Sequence, residues 1–146
     1  MQLTKFTDYA LRTLMHLAVS DKHMLTTRQI ADIHDAKYNH LAKVTQWLVR
    51  EGYVESVRGR SGGLRLAKDP KDVNVGAVIR ELESQTQLVE CLHPDGGNCV
   101  LAECCGLTSA LRNAQEAFFM ALDKMSLADL AKNNTPMVRL LERLNA

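Results

Sequence analysis

The stretch Gly52-Tyr-Val-Glu-Ser-Val-Arg-Gly-Arg-Ser-Gly-Gly-Leu-Arg-Leu66 decides the fold of this chain of 146 residues. Two short segments with alternating apolar residues, 53–57 and 64–67, flank a glycine-rich connection, and this pattern is typical of a β-hairpin. A Walker-type phosphate loop is excluded because its motif is absent and no helical pattern starts directly after the glycines. The sequence therefore predicts a thin hairpin that carries Arg58 and Arg60 at its tip.

Two short helices are predicted just before the hairpin. Thr26 or Thr27 caps the first, which runs through Ile33, and after a tight connection over 34–38, Asn39 caps a second helix that ends near Glu51. The second helix has a polar face formed by Asn39, His40, Lys43, Gln46, Trp47 and Arg50. By itself such a face also fits an ordinary solvated helix. The following hairpin favours a helix-turn-helix with a two-stranded wing.

The charge of the chain is concentrated in this region. Between residues 36 and 68 the chain has a net charge of +5, and the remainder has −4, although the whole chain is only +1. A basic segment in a nearly neutral protein indicates an anionic partner that is met by one face. We therefore assign base-edge contacts in duplex DNA to Asn39, His40 and Lys43. Contacts with the DNA backbone or minor groove are assigned to Tyr38, Arg58 and Arg60.

Helical patterns account for most of the remaining chain, so the predicted fold class is mainly α. Residues 3–19 are predicted to form an apolar helix with a narrow polar face, on which Asp8 lies one turn from Arg12. The simplest interpretation of Asp8 is an ordinary ion pair with Arg12. The alternative is that its carboxylate lies near a positive centre. A helix over 74–83 follows the wing, and residues 106–125 form the longest helix. Its wide apolar stripe predicts packing against a symmetry mate, with packing inside the chain as the alternative. Further helices are predicted over 127–131, capped by Ser126, and from Pro136 to Leu144.

All four cysteines lie between Cys91 and Cys105. We predict a cytoplasmic protein, because the sequence shows no signal peptide and no apolar run that could span a membrane, and thiols there stay reduced rather than forming disulfides. Zinc fits poorly, since its ligands usually come in closely spaced pairs. An iron–sulfur cluster suits thiols spread along an open loop. Zinc and a metal-free thiol switch remain alternatives.

Four segments resemble the bacterial winged-helix iron–sulfur repressors: the opening 1–12, the hairpin 52–66, the helix Val75-Gly-Ala-Val-Ile-Arg-Glu-Leu82 and the cysteine loop. The segment Cys105-Gly-Leu-Thr-Ser-Ala-Leu111 is similar to the nitric-oxide-sensing branch of that family. Regulators of cluster biogenesis in the family have a histidine ligand where this chain has Ser109. The resemblance implies a homodimer that binds a palindromic DNA operator and responds to nitric oxide.

The same resemblance implies a ligand set. It consists of Cys91, Cys99, Cys105 and, from the partner subunit, Asp8, which favours a ligand role for Asp8 over a simple ion pair. A [4Fe-4S] cluster is expected rather than [2Fe-2S]. The gap between Cys91 and Cys99 is longer than in the family pattern, and Cys104 is an additional thiol, interpreted as a bystander.

The resulting organisation has three parts. Residues 1–83 form the predicted DNA-binding domain, 84–105 the cluster-binding loop, and 106–146 the dimerisation helix with a helical tail. An enzyme is not expected, because the sequence contains no paired carboxylates, nucleophile motif or cofactor fingerprint outside the cysteine loop. A cluster-biogenesis regulator with a two-iron cluster and a metal-free thiol repressor remain the alternatives.

Overall fold

The computed structural model describes residues 2–20, 23–131 and 133–146. Met1, with which the predicted DNA-binding domain and the N-terminal motif begin, lies outside these ranges, as do residues 21, 22 and 132. The described residues form seven α-helices and one two-stranded sheet. The helices are α1 (Lys5–Val19), α2 (Thr27–Ile33), α3 (Tyr38–Arg50), α4 (Val75–Leu82), α5 (Gly106–Leu122), α6 (Leu127–Leu130) and α7 (Thr135–Asn145), and the strands are β1 (Val54–Val57) and β2 (Gly63–Leu66).

The core is built around α1. Thr4 caps this helix by accepting a hydrogen bond from the Thr7 backbone N–H, and the helix starts two residues later than predicted. Its apolar side packs on α3, so that Leu14 of α1 and Leu41 of α3 are both fully buried. Burial of one such leucine contributes about 1.5–3 kcal/mol. The N-terminal helix thus supports α3, the second helix of the predicted helix-turn-helix, which is called the recognition helix below.

The helix-turn-helix forms largely as predicted. Thr26 and Gln29 close a reciprocal capping box at the start of α2. The prediction that Asn39 caps α3 is wrong: Lys37 occupies that position without a side-chain hydrogen bond. The Lys37 carbonyl already accepts the Leu41 N–H at 3.1 Å, so the helix starts two residues earlier than expected. Asn39 therefore stands in the first turn of α3 and is exposed.

The wing is an antiparallel hairpin in which Val54 pairs with Leu66 and Val57 with Gly63. A β-bridge between Leu25 and Leu64 docks it on the segment before α2. A Cβ atom at Gly63 would lie 3.0 Å from the Leu25 carbonyl oxygen, so this approach leaves little room for a side chain. The hairpin is consequently fixed at its base, and its tip extends into solvent.

The C-terminal elements fold back on the core, while α5 remains largely exposed. This helix ends at Leu122, three residues earlier than predicted, because the chain then turns and the Leu127 N–H donates to the Val73 carbonyl. Thr108 is its one buried residue, whereas Leu107 is 63% and Met120 56% exposed. Leu107 belongs to the predicted apolar stripe of α5, whose other residues are exposed or half-buried, so the stripe is largely uncovered within the described part of the chain. The same described ranges contain no helix long and apolar enough to cross a membrane.

A histidine pair, formed by buried His16 and half-buried His34, joins three helices. The Nδ1 atom of His16 in α1 lies 3.2 Å from Nε2 of His34, which caps the C-terminus of α2. The other ring nitrogen of His16 is 2.9 Å from the Asn145 amide oxygen in α7. Burial lowers the pKa of both rings. For His34, burial acts together with His16 and Arg12 and against Asp8, and the resulting pKa is about 4. Both histidines are thus held neutral near neutral pH.

This arrangement predicts that the protein loses stability as the pH falls from 7 towards 5. The unfolded chain binds protons near pH 6.5, whereas His34 in the folded chain binds one only near pH 4. The stabilisation is therefore complete above about pH 6.5 and is lost as the pH falls towards the folded pKa, with a slope on the order of 1 kcal/mol per pH unit. Urea unfolding measured at several pH values tests this. A His34→Asn variant should flatten the profile, and the exposed His23→Asn is the matched control; a wild-type profile independent of pH over this range would contradict it.

Candidate functional site

The outer face of α3 and the wing tip carry the predicted DNA contacts. Asn39 and Lys43 are exposed on the same side of α3, and Arg58 and Arg60 are exposed at the wing tip. Tyr38 is 40% exposed and lines the groove between α3 and the hairpin. Two further polar residues, Gln46 and Arg50, extend the exposed face. The structure thus exposes five of the six predicted residues and places Tyr38 beside the hairpin.

His40 lies at the edge of this face and contacts α1. Its ring centroid is 5.3 Å from that of Tyr9 in an edge-to-face arrangement and 6.3 Å from that of Phe6. The residue is half-buried, unlike Asn39 and Lys43. Its position makes it a contact between the recognition helix and the helix that carries Asp8.

Arg28 is a residue of this surface that sequence reasoning missed. Its guanidinium carbon lies 4.2 Å from the centroid of the Tyr38 ring, which is a cation–π geometry. Arg28 precedes the basic segment 36–68, and nothing local in α2 indicates that it meets Tyr38. Only the turn between α2 and α3 brings the two together.

A chain of aromatic contacts links α1 to α4 through Trp47 of the recognition helix. Phe6 contacts the edge of Trp47, with ring centroids 6.4 Å apart, and Trp47 stacks on Tyr53 at 6.0 Å. The Tyr53 hydroxyl donates to Glu81 at 2.8 Å, and burial together with this hydrogen bond raises the pKa of Tyr53. Movement of α1 or α4 would therefore change the contacts that hold α3 in position.

Two of the cysteines lie at the first turn of α5. The Sγ atom of Cys91 lies 3.3 Å from Oγ1 of Thr108. Cys105 is the N-terminal flanking residue of α5, and although its side chain closes no capping hydrogen bond, the backbone N–H groups of Thr108 and Leu107 lower its pKa. Both thiols thus meet at the first turn of α5. Thr108 is a second residue that the sequence did not single out.

The rest of the loop folds back towards Cys91. The backbone of Gly97 packs so closely on Glu90 that a Cβ atom would lie 2.8 Å from the Glu90 carbonyl oxygen. Cys99 follows two residues later and is half-buried, whereas Cys104 is exposed and turned towards the Leu101 carbonyl. All four thiols are free.

The donor chemistry of this loop fits an iron–sulfur cluster, because three thiols lie on one short, open segment. The described residues do not, however, place three or more histidine, cysteine, aspartate or glutamate side chains close enough together to hold a metal ion. Cys91 contacts Thr108 and Cys105 precedes α5, so both lie at the first turn of that helix, and the described chain does not bring a third such ligand to them.

Asp8 forms the ion pair that its spacing predicts. Its Oδ2 atom lies 2.8 Å from Nη2 of Arg12, and both side chains are 46% exposed. Such an exposed pair contributes little to stability, about 0–1 kcal/mol. The carboxylate is thus on the surface of α1, where a second subunit can approach it.

Glu83 ties the entrance of the cysteine loop to the start of α1. This residue follows α4, is only 7% exposed, and accepts hydrogen bonds from the Thr4 N–H at 2.8 Å, the Thr4 hydroxyl at 3.0 Å and the Thr7 hydroxyl. Burial raises the pKa of Glu83, but the hydrogen bonds from Thr7, Thr4 and Thr86 outweigh it, and the net shift is downward. A charged carboxylate therefore joins α4 to the segment just before Asp8.

Comparison with protein families settles the class of this molecule. Residues 3–133 match the model of the Rrf2 family, described as iron-dependent transcriptional regulators. The chain belongs to the Rrf2 family. Members of this family are transcriptional regulators and not enzymes, in agreement with the sequence prediction.

Curated relatives in the Rrf2 family extend over nearly the whole chain. The transcriptional repressor NsrR of Streptomyces coelicolor is 46% identical over 143 residues, covering 96% of this chain and 95% of the relative. The transcriptional regulator NsrR of Bacillus subtilis is 43% identical over 143 residues, covering 97% and 98%.

Solved structures confirm the winged-helix fold of this Rrf2 protein. T. potens IscR superimposes with a TM-score of 0.72 at 24% identity, covering 91% of this chain and 88% of IscR. CymR of B. subtilis, a global cysteine regulator, gives a TM-score of 0.69 at 26% identity and covers 92% and 98%. The mainly α architecture with a two-stranded wing is thus shared across the family.

Proposed function

We propose that this Rrf2 regulator is a homodimeric DNA-binding repressor that senses nitric oxide through an iron–sulfur cluster and releases its operator when the cluster reacts or is lost. The observation that carries the proposal is the meeting of Cys91 and Cys105 at Thr108, where the cysteine loop joins α5. Similarity to relatives named NsrR and the motif around Cys105 support the choice of signal. The protein is expected to act in the cytoplasm.

The DNA-binding surface is assigned to the predicted domain 1–83. Asn39 and Lys43 supply base-edge contacts from the exposed face of α3, each discriminating between bases by about 1–3 kcal/mol. His40 joins them from the edge of that face. Tyr38, Arg58 and Arg60 contact the DNA backbone or the minor groove. Since helix-turn-helix dimers read two half-sites about 34 Å apart, the operator should be palindromic.

Dimerisation is assigned to α5, within the predicted segment 106–146. Exposed Leu107, Ala110 and Ala114 belong to one apolar stripe of α5, which is largely uncovered in the described chain. Large exposed apolar patches commonly mark protein interfaces. A second copy of the chain covering this stripe would bring α5 of both subunits together, and with them the two cysteine loops.

The cluster is assigned to the predicted loop 84–105 and its neighbours. Cys91, Cys99 and Cys105 would hold it, with Asp8 of the partner subunit as the fourth ligand, and a [4Fe-4S] cluster is expected rather than [2Fe-2S]. When bound, the cluster supplies iron that reacts with nitric oxide. A carboxylate is a harder ligand than a thiolate and would hold iron more weakly, so Asp8 would leave its iron the most open to nitric oxide.

Contacts within the chain would carry the signal. Glu83 joins the start of the cysteine loop to Thr4 and Thr7, and α1 contacts the recognition helix through His40. Order in the loop therefore constrains α1, and α1 constrains the angle of α3. Loss of that order would change the spacing of the two recognition helices in a dimer, and operator affinity would fall.

The test uses protein purified under nitrogen. Iron and sulfide analysis together with the visible spectrum should show a four-iron cluster, and sedimentation should show a dimer. Nitric oxide is expected to weaken binding to a palindromic operator by at least about 100-fold, roughly 2.7 kcal/mol. Asp8→Ala should preserve folding and change cluster stability or the nitric oxide titration.

The other outcomes identify the alternatives. A two-iron cluster that is insensitive to nitric oxide would indicate a regulator of cluster biogenesis. Equal operator binding after complete removal of iron would indicate a thiol-based repressor, which the four free thiols also allow. An Asp8→Ala titration identical to that of the wild type would remove Asp8 from the ligand set.

A further inference from the structure

A groove of about 370 Å³ opens between α2, the start of α3 and the wing. Its walls include the hydroxyl-bearing side chains of Thr26, Thr27 and Ser56, together with the glycine backbone of the wing. No carboxylate is among its lining residues in the described part of the chain. Hydroxyl groups, exposed backbone N–H groups and a guanidinium are the donors that bind phosphate oxygens.

Arg28 is held in this groove without a carboxylate partner. Its guanidinium stacks on Tyr38 at 4.2 Å. In contrast, Arg12, Arg50, Arg65 and Arg80 each form an ion pair with a carboxylate, and no such pair involves Arg28 among the described residues. Stacking on Tyr38 orients the planar guanidinium group of Arg28 and leaves its N–H groups available as donors.

We propose that Arg28, oriented by Tyr38, binds a backbone phosphate of duplex DNA in this groove. The inference rests on the proposed DNA-binding function, since the groove lies between the recognition helix and the wing. A free phosphate ion offers the same oxygens. The duplex is favoured because the groove is open along its length and continues into the exposed face of α3, where Tyr38, Ala42 and Gln46 line it.

The position also defines what Arg28 contributes. A phosphate contact fixes the register of the protein on the duplex and carries no sequence information directly. Arg28 should therefore strengthen binding to operator and to unrelated DNA alike. Asn39 and Lys43, in contrast, should affect the operator most.

The experiment measures fluorescence anisotropy of the cluster-loaded, full-length protein on operator and on unrelated duplex over a series of KCl concentrations. Arg28→Ala should weaken binding about 10-fold on both duplexes. It should reduce the slope of log affinity against log salt by about 0.9 for each subunit, as expected for one lost phosphate contact. Arg28→Lys should retain the slope but bind several-fold more weakly, because an ammonium group lacks the planar fork.

Matched controls separate the outcomes. Arg139→Ala removes the same charge from an exposed position on α7 and should change neither affinity nor slope. Circular dichroism and thermal unfolding should show that exposed Arg28→Ala folds normally.

Failure of the proposed function and failure of the inference give different results. If the wild-type protein does not prefer its operator, the proposed function fails. If it does, an unchanged slope for Arg28→Ala overturns the inference, as does a loss confined to the operator, which would make Arg28 a base reader. Tight binding of inorganic phosphate that is lost in Arg28→Ala, without any effect on DNA binding, would assign the groove to a free anion.

Discussion

Replacement of Cys91 by alanine is expected to remove the visible absorption of the cluster and to abolish operator-specific binding. Cys91 is one of the two thiols that meet at Thr108, with its sulfur 3.3 Å from the hydroxyl oxygen. Its loss leaves too few ligands at the junction of the loop with α5. Because specific binding is typically about 10³-fold or more tighter than non-specific binding, affinity for the operator should fall to that of unrelated DNA. Spectroscopy and anisotropy under nitrogen measure both effects.

The adjacent thiol supplies the matched control. Cys104 is exposed, and its sulfur is turned towards the Leu101 carbonyl rather than towards Thr108. Cys104→Ala should therefore keep the cluster and the operator affinity of the wild type. Tight, operator-specific binding by a cluster-free Cys91→Ala dimer would contradict the sensing mechanism, and a Cys104→Ala variant without a cluster would show that the ligand set is different.

Local patterns predicted most of the fold, since local physics fixes most of its elements. The capping residues Thr26 and Ser126 start α2 and α6 as expected. The glycine-rich connection predicted the hairpin, and the ends of both strands agree with the prediction to within one residue. The cap at Asn39 failed for a different reason. The start of α3 is set by the hydrogen bond from the Leu41 N–H to the Lys37 carbonyl and by the burial of Leu41 against α1. The capping preference of the Asn39 side chain does not decide it.

In the candidate site, some residues can be recognised from the sequence and others only from the structure. The thiols and the wing arginines are visible in the sequence because their residue types are unusual or clustered. Glu83, Thr108 and Arg28 are of common types, and their roles arise from contacts between elements. Glu83 meets Thr4 across 79 positions, a separation that no local pattern reports.

Replacement of Glu83 by alanine is expected to lower the free energy of unfolding by about 2–3 kcal/mol. The substitution removes a buried carboxylate that accepts hydrogen bonds from the Thr4 N–H and from the hydroxyl groups of Thr4 and Thr7. The cost should stay near that of one or two bonds, because the two hydroxyls remain 3.0 Å apart and can bond to each other. Urea unfolding of the two proteins measures the difference.

The Glu83→Ala variant also separates cluster binding from DNA binding. Its thiols are intact, so the visible spectrum should persist, while operator affinity should fall at least about 10-fold, roughly 1.4 kcal/mol, because the loop no longer holds the start of α1. Glu83→Gln keeps an acceptor oxygen and should lie between alanine and the wild type. The control is Glu81→Ala on the exposed side of the same helix, which loses only the hydrogen bond from Tyr53. Equal losses of stability and operator affinity in Glu81→Ala and Glu83→Ala would show that Glu83 has no special part in joining the loop to α1. The signal would then have to reach the recognition helix through α4 and the stacked pair Trp47 and Tyr53.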